Sequence, residues 1–231
     1  MTDPRKLLLP LALTLTVAAC SRAPSPSADV AGTAAASAPS AAVVTSGDAD
    51  GTGMVDLQRV ASGHYTLDTG HTNVLVQWKH YSYSRPSAGI AGITGTLDYD
   101  ALNPRNSRVD VTIPIEGITA FFPPLTDHLL SSDFFEEATY KTATFKSTQV
   151  TPSGVNKLQV VGNLTIKDIT HPVRLDVTFV GSGISEFERV PVIGFTAITR
   201  IPRSEFGLGL YVPNISDMVE LRISAEALLR E

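Results

Sequence analysis

The chain has one cysteine, few aromatic residues and few charges, and each shortage excludes a class of protein. Its single cysteine, Cys20, can form neither an internal disulfide nor a multi-cysteine metal centre. With a formal net charge of −5 and only 18% charged residues, the chain offers no basic surface to nucleic acid. Hydrophobic residues reach 43%, and 17 glycines and 15 prolines are typical of a turn-rich β protein with a core.

Catalytic and metal-binding motifs are also missing. The spacings of the five histidines match no compact ligand motif such as His-Glu-x-x-His; they are His64, His71, His80, His128 and His171. No serine stands in a Gly-x-Ser-x-Gly turn, and no glycine-rich turn between a strand and a helix could hold a nucleotide. We therefore expect a protein that is not an enzyme and that binds no metal.

Residues 1–19 have the pattern of a bacterial export signal, with two basic residues before an apolar run from Leu7 to Val17. The run is too short to span a bilayer. The string Val17-Ala18-Ala19-Cys20 resembles the bacterial lipobox, in which the cysteine becomes the lipidated first residue. This resemblance implies a periplasmic protein anchored through acyl chains at Cys20, and Ser21 favours the outer membrane. An ordinary secretory signal with a nearby cysteine is the alternative.

The next segment is poor in everything that a folded core needs. Residues 20–61 are mostly Ala, Ser, Pro, Thr and Gly and include no aromatic residue. Such a composition cannot bury enough apolar surface to offset the entropy lost on ordering the backbone. We therefore predict a flexible linker over 20–61 and one globular domain over 62–231.

Beyond residue 62, apolar and polar residues alternate in several runs, which indicates half-buried strands. The alternation is clearest over 73–80, 108–115, 158–167, 173–179 and 219–227. One helical insertion is predicted from Pro124 to about Tyr140, because Asp133 and Glu136 have the spacing of a capping box. Closing such a sheet removes its exposed edges. The prediction is an all-β fold: an eight-stranded antiparallel lipocalin-like barrel with a short helical insertion.

The inward positions of these strands are mostly medium-sized apolar residues. Strand glycines, namely Gly92, Gly95, Gly162 and Gly194, add to the expectation of an interior that side chains do not fill. An unfilled apolar interior can stay dry and take up an apolar guest. The alternative is that the same residues pack into a solid core.

Four blocks in a fixed order carry a family resemblance. Tyr65–Thr72 looks like the motif Y-x-[IL]-D-x-x-H-[ST], and Asp127–Phe135 resembles R-D-x-H-L-x-S-x-D-F-F. Gly162–Val173 is similar to G-x-L-T-I-x-G-x-T-x-P-V, and Ile201–Gly209 to I-x-R-[ST]-[DE]-F-G-L. These are motifs of the YceI-like proteins, a family of polyisoprenoid-binding periplasmic barrels.

The resemblance implies a barrel that encloses a long isoprenoid chain, with no metal and no covalent chemistry. The sequence departs from the family at Thr126, where Arg is usual, and at Asp168, where Gly is usual, and Asp127 and His128 are one residue closer together than in the motif. An Arg at position 126 could have paired with a phosphate, so the contact to a ligand head group stays open. Arg203 is a second candidate for that contact, and a salt bridge within the last hairpin is its alternative role.

The inward residues of six runs are the predicted ligand-binding residues. They are Val74, Val76, Trp78, His80, Val111, Val160, Leu164, Val177, Phe195, Leu221 and Ile223. The predicted function is to carry or buffer an isoprenoid lipid, such as a quinone or a prenyl lipid, in the bacterial envelope. The alternative is a barrel without ligand that acts as an interaction module in envelope stress or in a membrane redox complex. The oligomeric state stays open, with a homodimer as one option.

Overall fold

The alternating runs form eleven strands within residues 60–230, the part of the chain that this computed structural model describes. The export signal, Cys20 and nearly all of the predicted linker lie outside the described residues. The strands are β1 (Gly63–Leu67), β2 (Asn73–Gln77), β3 (Ser87–Ile90), β4 (Thr94–Tyr99), β5 (Arg108–Pro114), β6 (Ile118–Ala120), β7 (Thr142–Gly154), β8 (Lys157–Ile166), β9 (Ile169–Ile184), β10 (Pro191–Pro202) and β11 (Met218–Arg230).

Eight of these strands close into a ring in the order β1-β4-β5-β7-β8-β9-β10-β11, because β11 also pairs with β1. All the pairings around the ring are antiparallel. The remaining strands prolong three ring strands beyond a break. β2 pairs with the first half of β11, β3 pairs with β2, and β6 pairs with β3. The predicted eight-stranded barrel is therefore confirmed.

The connections gather at the two ends of the barrel. One end, called the helix end below, carries the loop 78–86, the helix α1 (Pro123–Leu130) and the segment 203–217. The other end, called the far end, carries the connections 100–107, 155–156 and 185–190. None of the helices within residues 60–230 has the length and apolar character needed to cross a membrane.

The predicted inward faces are the buried ones. Along β8, Leu158, Val160, Leu164 and Ile166 are buried, while the residues between them are more exposed, apart from Gly162. The same alternation holds in β9, where Val173 and Phe179 are buried. Successive side chains of a strand point to opposite faces, so the apolar half of each strand turns toward the barrel axis.

The helical insertion is shorter than the sequence predicts and begins at a different signal. Two prolines occupy the first turn of α1, where a missing N–H costs nothing. Its end comes at Ser131, whose Oγ donates to the carbonyl of His128 at 2.7 Å. Glu136 has φ +52, outside the right-handed helical region. The predicted helix to about Tyr140, with its capping box, is therefore wrong, and turns occupy 131–140.

The glycines do not explain the space inside the barrel. A Cβ on Gly162 would lie 2.4 Å from Cζ of Phe145, whose ring already covers that glycine. A Cβ on Gly95 would lie 2.4 Å from the carbonyl of Asp110. Gly194 sits between the buried Ile193 and the inward Phe195, so it faces outward. Gly95, Gly162 and Gly194 therefore do not leave the interior unfilled, and Gly92 lies in the connection between β3 and β4 rather than in a strand.

Candidate functional site

The barrel interior is hollow at two levels along its axis. The inner cavity lies toward the far end and has a volume of about 180 Å³. The surface of its walls is apolar, and its lining residues come from all eight strands of the ring. An apolar cavity of about 150 Å³ stays dry and accepts a benzene-sized guest, so this one can shelter a similar hydrocarbon group.

The second cavity lies at the helix end and is larger, at about 770 Å³, which is within the range of small-molecule pockets. Side chains of β2, β3 and α1 and of the segment 203–217 form its walls. Its lining includes polar groups, namely His80, His128, Arg203 and Asn214. The helix-end cavity can therefore accept a polar group, whereas the inner cavity cannot.

A layer of side chains separates the two cavities. Five partly buried residues pack against both halves of the core: Val76, Ile90, Val111, Ile113 and Leu221. Val76 and Ile90 line the helix-end cavity, and the other three line the inner cavity. Among the described residues, none lines both cavities. A guest longer than one cavity has to displace side chains of this layer.

All eleven predicted ligand-binding residues line one of the two cavities. Val76, Trp78 and His80 line the helix-end cavity. The other eight line the inner cavity: Val74, Val111, Val160, Leu164, Val177, Phe195, Leu221 and Ile223. Their role in binding stays a prediction, since their placement shows only which space they face.

Sequence reasoning missed much of the helix-end cavity. Its walls include Leu125, Leu129, Phe134, Tyr211 and Ile215, which lie in α1 and in irregular segments. Such segments have no period of two, so alternation cannot assign their inward side. The one available signal is the block Asp127–Phe135, whose apolar residues accompany a histidine and fall within the second family motif.

Arg203 is buried at the wall of the helix-end cavity, with 7% of its surface exposed. Its Nε donates to the carbonyl of Ser216 at 2.9 Å, and its Nη2 donates to that of Ile215 at 3.0 Å. Its Nη1 donates to the carbonyl of Leu208. Burial lowers the pKa of Arg203 below its usual range, and nearby Asp217 opposes that shift. Arg203 therefore holds the segment 203–217 in place, through carbonyls rather than the salt bridge considered from the sequence.

The two departures from the family motifs have local roles in this chain. The hydroxyl of Thr126 accepts the backbone N–H of Ala120 at 2.8 Å, which ties α1 to β6. The Asp168 carboxylate accepts the hydroxyl of Tyr140 at 2.7 Å, and this hydrogen bond raises the pKa of Tyr140. Lys167, not Asp168, takes the left-handed conformation of the β8–β9 turn, with φ +55. Glycine is therefore not required at position 168.

A gap interrupts the wall between β9 and β10 near the helix end. Their pairing stops at Ile198 and Asp176, although both strands continue, and a cavity of about 490 Å³ lies between them. Its lining includes four charged side chains: Arg174, Asp176, Arg200 and Glu205. Val173 and Thr199 line this gap and the inner cavity alike. Such a polar opening is a poor passage for a hydrocarbon chain.

The far end is closed by buried aromatic residues. Tyr65 has no exposed surface, and its hydroxyl donates to the carbonyl of Ala61 at 2.7 Å. Burial raises the pKa of Tyr65. Val60 and Tyr99 are buried in the same cluster. Access to the interior is therefore easier from the helix end.

Closure, alternation and a hollow apolar axis define the class: this is a small antiparallel barrel of lipocalin type with internal cavities. A family model described as the YceI-like domain matches residues 65–227. The chain belongs to the YceI-like domain family, as the sequence motifs predict.

Relatives and solved structures agree with this assignment. A UPF0312 protein of Vibrio parahaemolyticus is 30% identical over 166 residues, covering 70% of this chain and 85% of that protein. A UPF0312 protein of Pseudomonas fluorescens is 30% identical over 180 residues, covering 76% and 92%. The structure of a Campylobacter jejuni YceI protein matches with a TM-score of 0.59 and 26% identity, covering 66% of this chain and 90% of that one.

Two further structures share the fold at lower identity. Burkholderia cenocepacia BcnA matches with a TM-score of 0.63 and 22% identity, covering 69% of this chain and 98% of that one. A polyisoprenoid binding domain from Saccharophagus degradans matches with a TM-score of 0.51 and 11% identity, covering 74% and 100%.

Proposed function

We propose that this protein binds a long apolar isoprenoid lipid, such as a quinone or a prenyl lipid, and carries or buffers it in the bacterial envelope. The observation that carries the proposal is the pair of cavities on one axis. An apolar inner cavity adjoins a larger cavity that contains polar groups, which matches a molecule with an apolar tail and a polar head. The neighbour described as a polyisoprenoid binding domain supports the same class of ligand.

The polarity of the walls fixes the orientation of the lipid in this proposal. The tail lies in the inner cavity against residues such as Val111, Val160 and Val177, where each buried CH₂ contributes about 0.8 kcal/mol. The head group lies at the helix end beside His80 and His128. Affinity then depends mainly on the length of the tail, and the barrel needs no catalytic group.

The proposal also places the protein in the periplasm as a lipoprotein. Cys20 would hold it to the membrane, with the outer membrane favoured by Ser21. A membrane-held barrel stays close to the pool of lipids from which an isoprenoid must come, and several acyl chains on one residue give stable anchoring.

Native mass spectrometry and lipid extraction of protein purified from its own membrane test the function. We expect a bound isoprenoid, and its loss in a Trp78→Ala variant that stays folded. Phe187→Ala is the matched control, because Phe187 is 96% exposed at the far end and lines neither cavity. A native barrel that is repeatedly free of lipid would contradict the proposal and favour the interaction module. If Trp78→Ala instead unfolds the barrel and has no separate effect on lipid binding, the result would favour a solid core in which Trp78 only packs.

A further inference from the structure

The mouth of the helix-end cavity is surrounded by exposed apolar side chains. They belong to three segments, 81–83, 121–122 and 210–212, which together are called the rim below. Phe121 is 91% exposed, Tyr83 is 82% exposed and Phe122 is 63% exposed. The rings of Tyr81 and Tyr83 stack at 5.5 Å. The backbone N–H of Tyr81 donates to the carbonyl of Asn214 at 2.7 Å, so the rim segment 81–83 is held to the segment 203–217.

The rim differs from the far end in its charge. The rim segments 81–83, 121–122 and 210–212 contain no Asp, Glu, Lys or Arg, and the charged residues that flank them include Lys79, Arg85, Asp127 and Asp217. The far-end connections 100–107, 155–156 and 185–190 contain five: Asp100, Arg105, Glu186, Glu188 and Arg189. Exposed apolar residues also occur there, but charges separate them. The rim is therefore an exposed apolar patch that is itself free of charged residues.

We propose that the rim docks on the surface of a lipid bilayer, so that the helix-end cavity opens toward the membrane. Contiguous exposed apolar patches on a small protein mark sites of interaction. Aromatic side chains favour the level of the lipid head groups, where an apolar ring meets a polar layer. The rim segments contain no carboxylate that would oppose an anionic membrane, and the nearby Arg85 is positive.

The position of the mouth adds an argument for the membrane over a protein partner. Tyr81, Phe122 and Tyr211 belong to the rim and also line the helix-end cavity. A lipid that leaves the bilayer there passes from one apolar surface to another. The inference rests on the proposed function in this respect, since it assigns the direction from which the lipid enters.

The length of the chain before the barrel permits this orientation. The Oγ of Ser62 accepts the backbone N–H of Ala101, which places the start of the domain at the far end. Thirty-nine residues lie between Cys20 and Val60, and at about 3.3 Å per residue a chain of that length can span more than 100 Å when extended. Anchoring at Cys20 therefore leaves the helix end free to face the bilayer.

The test compares two single-tryptophan variants of the full chain in proteoliposomes of phosphatidylethanolamine and phosphatidylglycerol. Both carry Trp78→Phe, which removes the natural tryptophan, and then either Phe121→Trp at the rim or Phe187→Trp at the far end. Both phenylalanines are more than 90% exposed, so neither substitution disturbs packing. Nitroxide-labelled phospholipids are expected to quench Phe121→Trp strongly and Phe187→Trp no more than free tryptophan. Adding Phe122→Ser to the Phe121→Trp variant should weaken its quenching, because one of the apolar rings that contact the bilayer is lost.

Equal quenching of the two variants, or stronger quenching at the far end, would overturn the docking proposal. It would also fail if Phe121→Trp were shielded without vesicles while the protein sediments as a dimer, because a second copy then covers the rim. Lipid content, measured on the unsubstituted full chain, which keeps Trp78, separates this inference from the proposed function. A docked barrel without isoprenoid contradicts only the function, and a filled barrel without quenching contradicts only the docking.

Discussion

Filling the inner cavity should remove the benefit of a longer isoprenoid tail. Ala197 on β10 lines this cavity and lies between Val177 and Ile223 in the sheet register. Ala197→Leu adds three carbons to a space of about 180 Å³, which holds a single group of roughly benzene size. One isoprene unit has five carbons, so its exclusion costs about 4 kcal/mol at about 0.8 kcal/mol per carbon. That difference corresponds to an upper limit of about a thousandfold in affinity.

The assay is the competition of geraniol, farnesol and geranylgeraniol for a fluorescent prenyl probe in the barrel. In the native protein, affinity should rise with each added isoprene unit until both cavities are full. In Ala197→Leu, the rise should stop one unit earlier, while the shortest alcohol binds as before. Thr178→Leu is the control, because Thr178 is exposed on the outer face of β9.

Two outcomes would refute this reasoning. An unchanged dependence on length would mean that the tail does not enter the inner cavity. A uniform loss for all three alcohols would mean that the substitution distorts the barrel, and urea unfolding of the same variant shows whether it does. Filling a dry cavity is expected to leave the free energy of unfolding close to the native value.

Two further predictions concern the fold and its charge. Gly162→Ala should lower the free energy of unfolding by about 1–3 kcal/mol, because its Cβ would overlap an aromatic ring of β7. The control is Gly181→Ala, which should change the free energy of unfolding little because no atom lies within 4 Å of the added Cβ. Equal urea midpoints for the two variants would contradict this prediction. Asp68→Asn should lower the pKa of His71 toward its ordinary value, because His71 Nδ1 and the Asp68 carboxylate form a hydrogen bond of 2.8 Å that raises that pKa. The stability from this pair is lost as pH rises through the raised pKa of His71, or falls through the lowered pKa of Asp68. NMR titration of His71 checks it, and an unchanged midpoint in the variant would count against the pairing.

The closed barrel was predictable because its strands have two faces in different environments. The long strand β11 alternates Val219, Leu221 and Ile223 with Glu220 and Arg222, and a shift of one residue would turn its apolar side to water. Such a pattern fixes which side chains face the axis. It says little about how much space they leave, because that depends on the separation of strands across the barrel.

The helix-end cavity was less predictable for a different physical reason. Its walls come from segments whose position depends on distant contacts, such as the three carbonyls that Arg203 holds. The capping-box spacing of Asp133 and Glu136 suggested a helix there, but the left-handed conformation of Glu136 ends any helical continuation. Local spacing ranks conformations of a short segment, and tertiary contacts then select among them.

The segments that form the mouth of the helix-end cavity also contain the rim. A substitution there can therefore change both the cavity wall and the exposed surface, whereas a substitution on an inward strand position changes only the interior. A substitution at Val160 or Val177 alters only the space available to a tail, because these side chains face the inner cavity. A substitution at Phe122 or Tyr211 alters the wall of the helix-end cavity and also the exposed surface proposed to meet the bilayer. Changes of the first kind should therefore shift the preferred tail length at a constant rate of lipid uptake from vesicles. Changes of the second kind should slow uptake even where the equilibrium occupancy of the barrel is unchanged, since the route of entry is affected before the bound state.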